Sequence, residues 1–280
     1  MSLTGTLLKL TENLTPMTTL TVLSRQIADR PLGALTQRLI KSFIKSFNIN
    51  MEEIANPDLS SYKTFNEFFI RSLKEGARPI STDCLAVSPT DGTVGQAEEI
   101  RAGRLIQAKG LDYSLRDLLG GNAGDCAPFE GGHFACIYLS PSNYHRIHMP
   151  VDGTLVRTVH VPGRHYPVGM RNIHHMEGLY TKNERLVCFF ETEHGPFALV
   201  MVGACLVGSI GTVWGGTVRR HPKATTDLFE AGAYHYKPGD EIGHFKYGST
   251  VICLWGWQEG QLAPAFTEGT PVKMGQAMIV

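Results

Sequence analysis

From about residue 85 onward the chain is divided into short β-branched and aromatic runs separated by glycine turns, and this limits what it can fold into. The runs at 134–139, 154–161, 186–191, 197–202 and 251–257 are bounded by Asp-Gly, Pro-Gly and Gly-Gly signals. Parallel strands need a helical crossover between each pair. No helical pattern of about ten to fifteen residues alternates regularly with these runs, which excludes a doubly wound parallel sheet. The expectation is a mostly antiparallel β domain. Thr90-Asp-Gly-Thr-Val and Val151-Asp-Gly-Thr-Leu resemble each other, but two copies of so short a turn do not establish a repeat.

The first seventy residues have a different texture. Thr15-Pro16 has the form of a cap with proline at the first helical position. Leu35, Leu39, Ile40, Phe43, Ile44 and Phe47 recur at helical spacing, with Gln37, Arg38, Lys41 and Lys45 on the other side. Thr64-Phe-Asn-Glu67 is a capping-box pattern just ahead of Phe68, Phe69 and Ile70. The fold class expected is therefore α+β, with a helical region over 1–72 and a β-rich domain over 73–280. Lys+Arg and Asp+Glu balance at 26 each, so no global field points to nucleic acid. The balance hides a local surplus of four positive charges in residues 1–50, where Lys9, Arg25, Arg30, Arg38, Lys41 and Lys45 face only Glu12 and Asp29. A basic amphipathic segment of this kind suits either an anionic lipid surface or ordinary packing on a core.

Hydrophobic residues make up 42% and charged residues 19% of the 280, a globular composition. The six cysteines, at 84, 126, 136, 188, 205 and 253, show no CxxC spacing and read as free thiols of a reducing compartment. No stretch approaches the roughly 20 continuous apolar residues of a spanning helix. The N-terminus has no basic n-region followed by an apolar core, so no secretory signal is expected.

Three segments could carry chemistry. Gly248-Ser249-Thr250 lies between a polar turn and the apolar run 251–255. Glycine lets the backbone distort, and a strained peptide bond is open to attack by the next hydroxyl. Asp91 in Ser88-Pro-Thr-Asp-Gly92 is by default a turn aspartate. His145 and His148 stand three apart, on one face of a helix or on opposite faces of a strand. His174-His175 is another pair, but adjacent histidines point apart and no third ligand stands at a recognisable spacing, so no metal is expected. The order Asp91, His148, Ser249 would suit a serine hydrolase, although Ser249 lacks a G-x-S-x-G elbow.

Beyond these residues, the chain resembles the bacterial phosphatidylserine decarboxylases, pyruvoyl-dependent enzymes made as proenzymes. The likeness runs through Tyr62-Lys-Thr-Phe-Asn-Glu-Phe-Phe69, Pro89-Thr-Asp-Gly92, Ala108-Lys-Gly110 with Tyr113-Ser-Leu, and residues 138–150. It continues through Asn183-Glu-Arg185, Val202-Gly-Ala204, Val207-Gly-Ser-Ile210 and residues 243–250. Tyr247 stands where the family usually has leucine, a change that bears on local packing and processing rate.

The resemblance implies self-cleavage between Gly248 and Ser249, giving a β chain of 1–248 and an α chain of 249–280 that stay together as a heterodimer. Asp91, His148 and Ser249 would form the charge relay for that cut, and Ser249 would become a covalent pyruvoyl cofactor. This group would form a Schiff base with the serine amine of phosphatidylserine as carbon dioxide leaves. His145 is the candidate donor of the proton returned to the substrate. The lipid substrate implies peripheral attachment of the N-terminal region to an anionic membrane surface, on the cytoplasmic side of the cell membrane. Further oligomerisation, the phosphate-binding residues and the acyl-chain site stay open. So do three rivals: a serine hydrolase, a non-catalytic β module, and a pyruvoyl decarboxylase of a soluble amino acid.

Overall fold

The computed structural model describes residues 27–108, 111–170, 172–204, 209–246 and 249–280. The expected cap at Thr15-Pro16, the Lys109-Gly110 and Val207-Gly208 pairs, Tyr247 and Gly248 lie outside the described residues.

Seventeen strands form four antiparallel sheets among the described residues. The largest is nine-stranded, built from β2 (Gly92–Glu99), β5 (His133–Leu139), β7 (Gly153–Val161), β8 (Arg185–Thr192), β9 (Gly195–Val202), β12 (Thr225–Leu228), β13 (His235–Tyr236), β15 (Ser249–Trp255) and β16 (Pro271–Val272). Its order is β12-β7-β8-β9-β15-β5-β2-β16, with β13 also paired to β7. A four-stranded sheet runs in the order β11-β10-β14-β6, from β6 (Arg146–His148), β10 (Ile210–Thr212), β11 (Gly216–Thr217) and β14 (Glu241–Phe245). Two short pairs complete the set: β1 (Ala86–Val87) with β17 (Ala277–Ile279), and β3 (Arg104–Ala108) with β4 (Leu111–Ser114).

The five runs read from the sequence become β5, β7, β8, β9 and β15 with their ends shifted by no more than two residues. All seven residues of β15 are buried. Apolar material therefore covers both faces, and the run Val251-Ile-Cys-Leu-Trp255 shows no polar alternation. Cys136, Cys188 and Cys253 are buried free thiols within these central strands. The core also takes Leu105 and Leu118 from the connecting segments and Ile210, Ile242 and Phe245 from the smaller sheet.

The helical part has its own small cluster. Helix α1 (Ala34–Phe47) buries Ile40, which packs with Ile49, Ile54 and Phe68 and with the half-buried Phe43, Ile44, Tyr62 and Phe65. Its apolar stripe is wider than this cluster needs, since Leu35, Leu39 and Phe47 are 51%, 38% and 42% exposed. Helix α2 (Phe65–Phe69) starts as its sequence dictates. Thr64 Oγ1 accepts from the Glu67 N–H at 3.1 Å, and Glu67 Oε2 accepts from the Lys63 and Thr64 N–H groups. The reciprocal cap fixes a helix of only five residues and aims Phe68 and Phe69 inward.

Gly92 opens β2 where no side chain fits. A Cβ there would stand 2.5 Å from Ile137 Cγ2 and 2.6 Å from the Tyr138 carbonyl oxygen. Gly92→Ala should cost about 1–3 kcal/mol through this overpacking, read as a lower thermal unfolding midpoint. An unchanged midpoint would mean that β2 can retreat from β5 freely.

Candidate functional site

Register brings the singled-out residues to one end of the large sheet. Ser249 opens β15 opposite Leu139, the last residue of β5, and Thr250 pairs with Tyr138, which pairs in turn with Thr93 of β2. Asp91 thus sits one residue ahead of β2, two strands from Ser249. His148 ends β6 and is tied to the same turn, its N–H donating to the Pro89 carbonyl at 2.8 Å.

Ser249 is fully buried, and its Oγ has no hydrogen-bond partner among the described residues. An unsatisfied buried hydroxyl costs about 1–3 kcal/mol, so the site holds it at a stability cost.

His148 is 8% exposed. Its Nδ1 lies 2.7 Å from the Gly239 carbonyl oxygen and its Nε2 lies 2.9 Å from the Tyr144 hydroxyl. A carbonyl only accepts, so Nδ1 carries the proton and Nε2 offers its lone pair. Burial lowers its pKa from the ordinary imidazole value, opposed by the Gly239 carbonyl. The Nε2 lone pair accepts from the Tyr144 hydroxyl.

Asp91 is 2% exposed. Arg78 binds it through two prongs, Nε to Oδ1 at 2.8 Å and Nη2 to Oδ2 at 2.7 Å. The Met274 N–H at 2.9 Å and Lys273 Nζ at 3.3 Å complete its partners. Burial pushes its pKa up, but Arg78, the Met274 N–H and Lys273 outweigh that and hold the carboxyl below the usual range. The direct Asp91–His148 hydrogen bond of a linear relay is not formed. The imidazole N–H goes to Gly239, and Asp91 reaches His148 through its field, which favours the charged ring.

His145 points elsewhere. It is fully buried, its Nε2 lies 3.0 Å from the Ser140 carbonyl oxygen, and its ring lies against Phe69 with centroids 4.2 Å apart. Its Nδ1 has no partner among the described residues. Burial first, and the Arg71 charge second, draw its pKa down to about 3. The two histidines therefore face different surroundings, as odd spacing along an extended segment requires.

Other quoted motifs brace the sheet. Glu184 of the Asn183-Glu-Arg185 segment is buried, with His160 Nε2 at 3.0 Å, His165 Nε2 at 2.7 Å and Arg220 Nε at 2.9 Å. Arg185 donates to the carbonyls of Leu118, Thr181 and Asn183. The cavity of about 600 Å³ beside His160, Trp214 and His221 is lined by none of Asp91, His145, His148 and Ser249. Sequence reasoning missed Arg78 and Tyr144. Tyr144 stands inside the quoted segment 138–150, whereas Arg78 carries no signal of its role in Ala77-Arg78-Pro79.

A buried hydroxyl left unpartnered among the described residues is worth its cost where chemistry uses it. The class of protein follows from comparison with known proteins. The phosphatidylserine decarboxylase family matches residues 65–280. The phosphatidylserine decarboxylase proenzyme of Pseudoalteromonas translucida is 46% identical over 258 residues, covering 89% of each chain. The proenzymes of the same name from Aliivibrio fischeri and Nitrosospira multiformis are 44% and 43% identical, covering 94% and 95% of this chain and 93% of their own. The chain belongs to the phosphatidylserine decarboxylase family.

The depressed basicity of His145 has a consequence for stability. The unfolded chain takes up a proton near pH 6.5, whereas the folded chain does not until about pH 3. Between those values the unfolded state binds more protons, so stability falls as pH falls. Each pH unit in that window should cost up to about 1.4 kcal/mol from this one group. Chemical denaturation at pH 7 and pH 5 measures the loss, and His145→Phe should remove this part of it. An identical pH slope in the variant would show that His145 charges freely in the folded protein.

Proposed function

We propose that this chain is a proenzyme that cuts itself between Gly248 and Ser249 and then decarboxylates phosphatidylserine to phosphatidylethanolamine. The observation that carries the reading is the buried Oγ of Ser249, unpartnered among the described residues, at the head of a core strand. His148 Nε2 takes the Ser249 hydroxyl proton, and Oγ attacks the Gly248 carbonyl, moving the acyl group from nitrogen to oxygen. Loss of the Ser249 α-proton expels the ester, and hydrolysis with loss of ammonia leaves a pyruvoyl group. Asp91, anchored by Arg78, stabilises the His148 cation by its field rather than by a hydrogen bond.

An orphaned hydroxyl on a rigid strand fits a cofactor built from the backbone, because nothing else has to be bound. The pyruvoyl carbonyl supplies an electron sink for the pair left behind when carbon dioxide departs. The chain's own part is to hold that strand and return a proton. His145 is the proton donor of this reading, a role that requires the bound substrate to raise its basicity above that of the buried ring.

The division is a helical membrane-associating region over 1–72 and a catalytic domain over 73–280, whose α and β chains remain a heterodimer. Leu35, Leu39 and Phe47 are exposed on α1, as are Arg38, Lys41 and Lys45. This combination suits peripheral binding to an anionic, cytoplasmic membrane face.

Intact-mass analysis of the purified chain should find fragments 1–248 and 249–280, the second without a free amine. A single full-length mass would return the protein to the hydrolase or binding-module readings. Ser249→Ala should stay uncut and inactive. His145→Ala should still mature, with turnover of phosphatidylserine reduced on the order of 10²–10⁴-fold. A His145→Ala enzyme of normal rate would remove that residue from the reaction. Preference for free serine or aspartate over phosphatidylserine would move the substrate to a soluble amino acid.

Reversing Arg38, Lys41 and Lys45 to Glu should reduce sedimentation with anionic vesicles while leaving self-cleavage intact. High salt should release the unaltered protein only in part, since screening weakens ionic attraction but not apolar insertion. Unchanged sedimentation of the charge-reversed variant would move the lipid contact off α1.

A further inference from the structure

Between the end of α1 and the catalytic end of the sheet lies a cavity of about 220 Å³, walled in part by Arg71, Arg78, Asp91, Tyr144 and Lys273. That volume is roughly seven times the ~30 Å³ share of one water in the liquid. Its charges do not cancel. Arg78 is spent on Asp91 and on Glu53, whose Oε2 lies 2.7 Å from Nη2. Lys273 also leans on Asp91, with 60% of its side chain exposed at the cavity rim. Arg71 differs from both. It is 5% exposed, yet among the described residues no carboxylate stands within the 4.0 Å of an ion pair.

The guanidinium of Arg71 is held but not satisfied. Nη2 donates to the carbonyls of Ser142 at 3.1 Å and Asn143 at 3.4 Å, and Nη1 donates to the Phe69 carbonyl at 3.3 Å. Its carbon lies 5.3 Å from the centre of the Phe68 ring. Nε is buried with no partner among the described residues. Burial draws the pKa down to about 10, which still leaves the group charged at neutral pH. A buried cation without a counter-charge is strongly disfavoured unless a ligand supplies one.

The place of this cation ties it to the reaction. The turn that holds Nη2 follows directly from Leu139, the register partner of Ser249. Tyr144, on the cavity wall, bonds Nε2 of His148. Three cations against two carboxylates leave a surplus of one positive charge on these walls, which a phosphodiester monoanion would neutralise. A carboxylate is the other anion of the substrate head. Its charge vanishes as carbon dioxide leaves, so a fixed cation there would stabilise the ground state over the transition state.

Resting on the functional reading above, we propose that Arg71, with Lys273 at the rim, binds the phosphodiester of the substrate lipid. The cation thereby sets how far the head enters the site, with the acyl chains left on the α1 side where Phe47 is exposed.

The test separates binding from chemistry. Dihexanoyl phosphatidylglycerol carries the phosphodiester but neither amine nor carboxylate, and its affinity is measured by calorimetry on the unaltered protein and on Arg71→Gln. The dissociation constant should rise on the order of 10–100-fold, the usual consequence of losing a charge-assisted contact. Arg71→Lys and Lys273→Met should show smaller rises. With dihexanoyl phosphatidylserine, KM should rise in parallel while kcat changes less than about threefold.

Equal phosphatidylglycerol affinity in the unaltered protein and Arg71→Gln would overturn the proposal, and a rise confined to the KM for phosphatidylserine would assign Arg71 to the carboxylate instead. An unaltered protein that binds phosphatidylglycerol through Arg71 yet leaves phosphatidylserine intact would sink the decarboxylase reading and spare the anion site. Should Arg71→Gln remain uncut, maturation of Arg71→Lys with a raised dissociation constant supports the proposal. Failure of both to mature makes Arg71 a brace for the 140–143 turn and overturns it.

Discussion

The pairing of β15 with β5 and β9 is the constraint on which the site depends. Seven consecutive residues of β15 face β5, from Ser249 opposite Leu139 to Trp255 opposite His133, and six face β9. Side chains alternate along a strand, so a slip of one residue would reverse every one of them in a strand buried throughout. No intermediate register satisfies both neighbours. The hydroxyl of Ser249 is therefore positioned by hydrophobic packing several residues away, and no polar partner is needed to aim it.

Charge is handled around that strand in two contrasting ways. At Glu184 and Asp91 a buried carboxylate is surrounded by donors, which lower its pKa to about 2 at Glu184 and below the usual range at Asp91. Other buried groups are left incomplete instead. Ser249 Oγ, His145 Nδ1 and Arg71 Nε are all buried without partners among the described residues. Incomplete satisfaction costs stability.

Much of this was legible in the sequence, and the rest was not for definite reasons. Strands announce themselves through local composition and turns, so β5, β7, β8, β9 and β15 are legible to within two residues, whereas the Asp91 carboxylate bonds Arg78 and the Met274 N–H rather than its own turn. Partner choice is a tertiary matter. Arg78 lies 13 residues from Asp91, Met274 lies 183 away, and Gly239 lies 91 from His148, each in a segment with no periodic mark of the contact. The expected aspartate-to-histidine contact gave way to a carbonyl and an arginine because backbone proximity decided both. On α1 the apolar positions were legible, but their division into Ile40, Phe43 and Ile44 within and Leu35, Leu39 and Phe47 without depended on what packs against the helix.

The central position of β15 has one more consequence. Residues 249–280 contribute β15 to the middle of the nine-stranded sheet, β16 to its edge beside β2, and β17 to the pair with β1. A break in the backbone ahead of Ser249 would leave all three in place, and the new end would be as immobile as a side chain. The break would nevertheless change what unfolding means. An intact chain that loses its structure can regain it alone, at a rate independent of how dilute it is. Two pieces interlaced in one sheet must find each other again, so recovery becomes a second-order event that dilution defeats. The cut protein would then persist by the slowness of its opening rather than by the ease of its return.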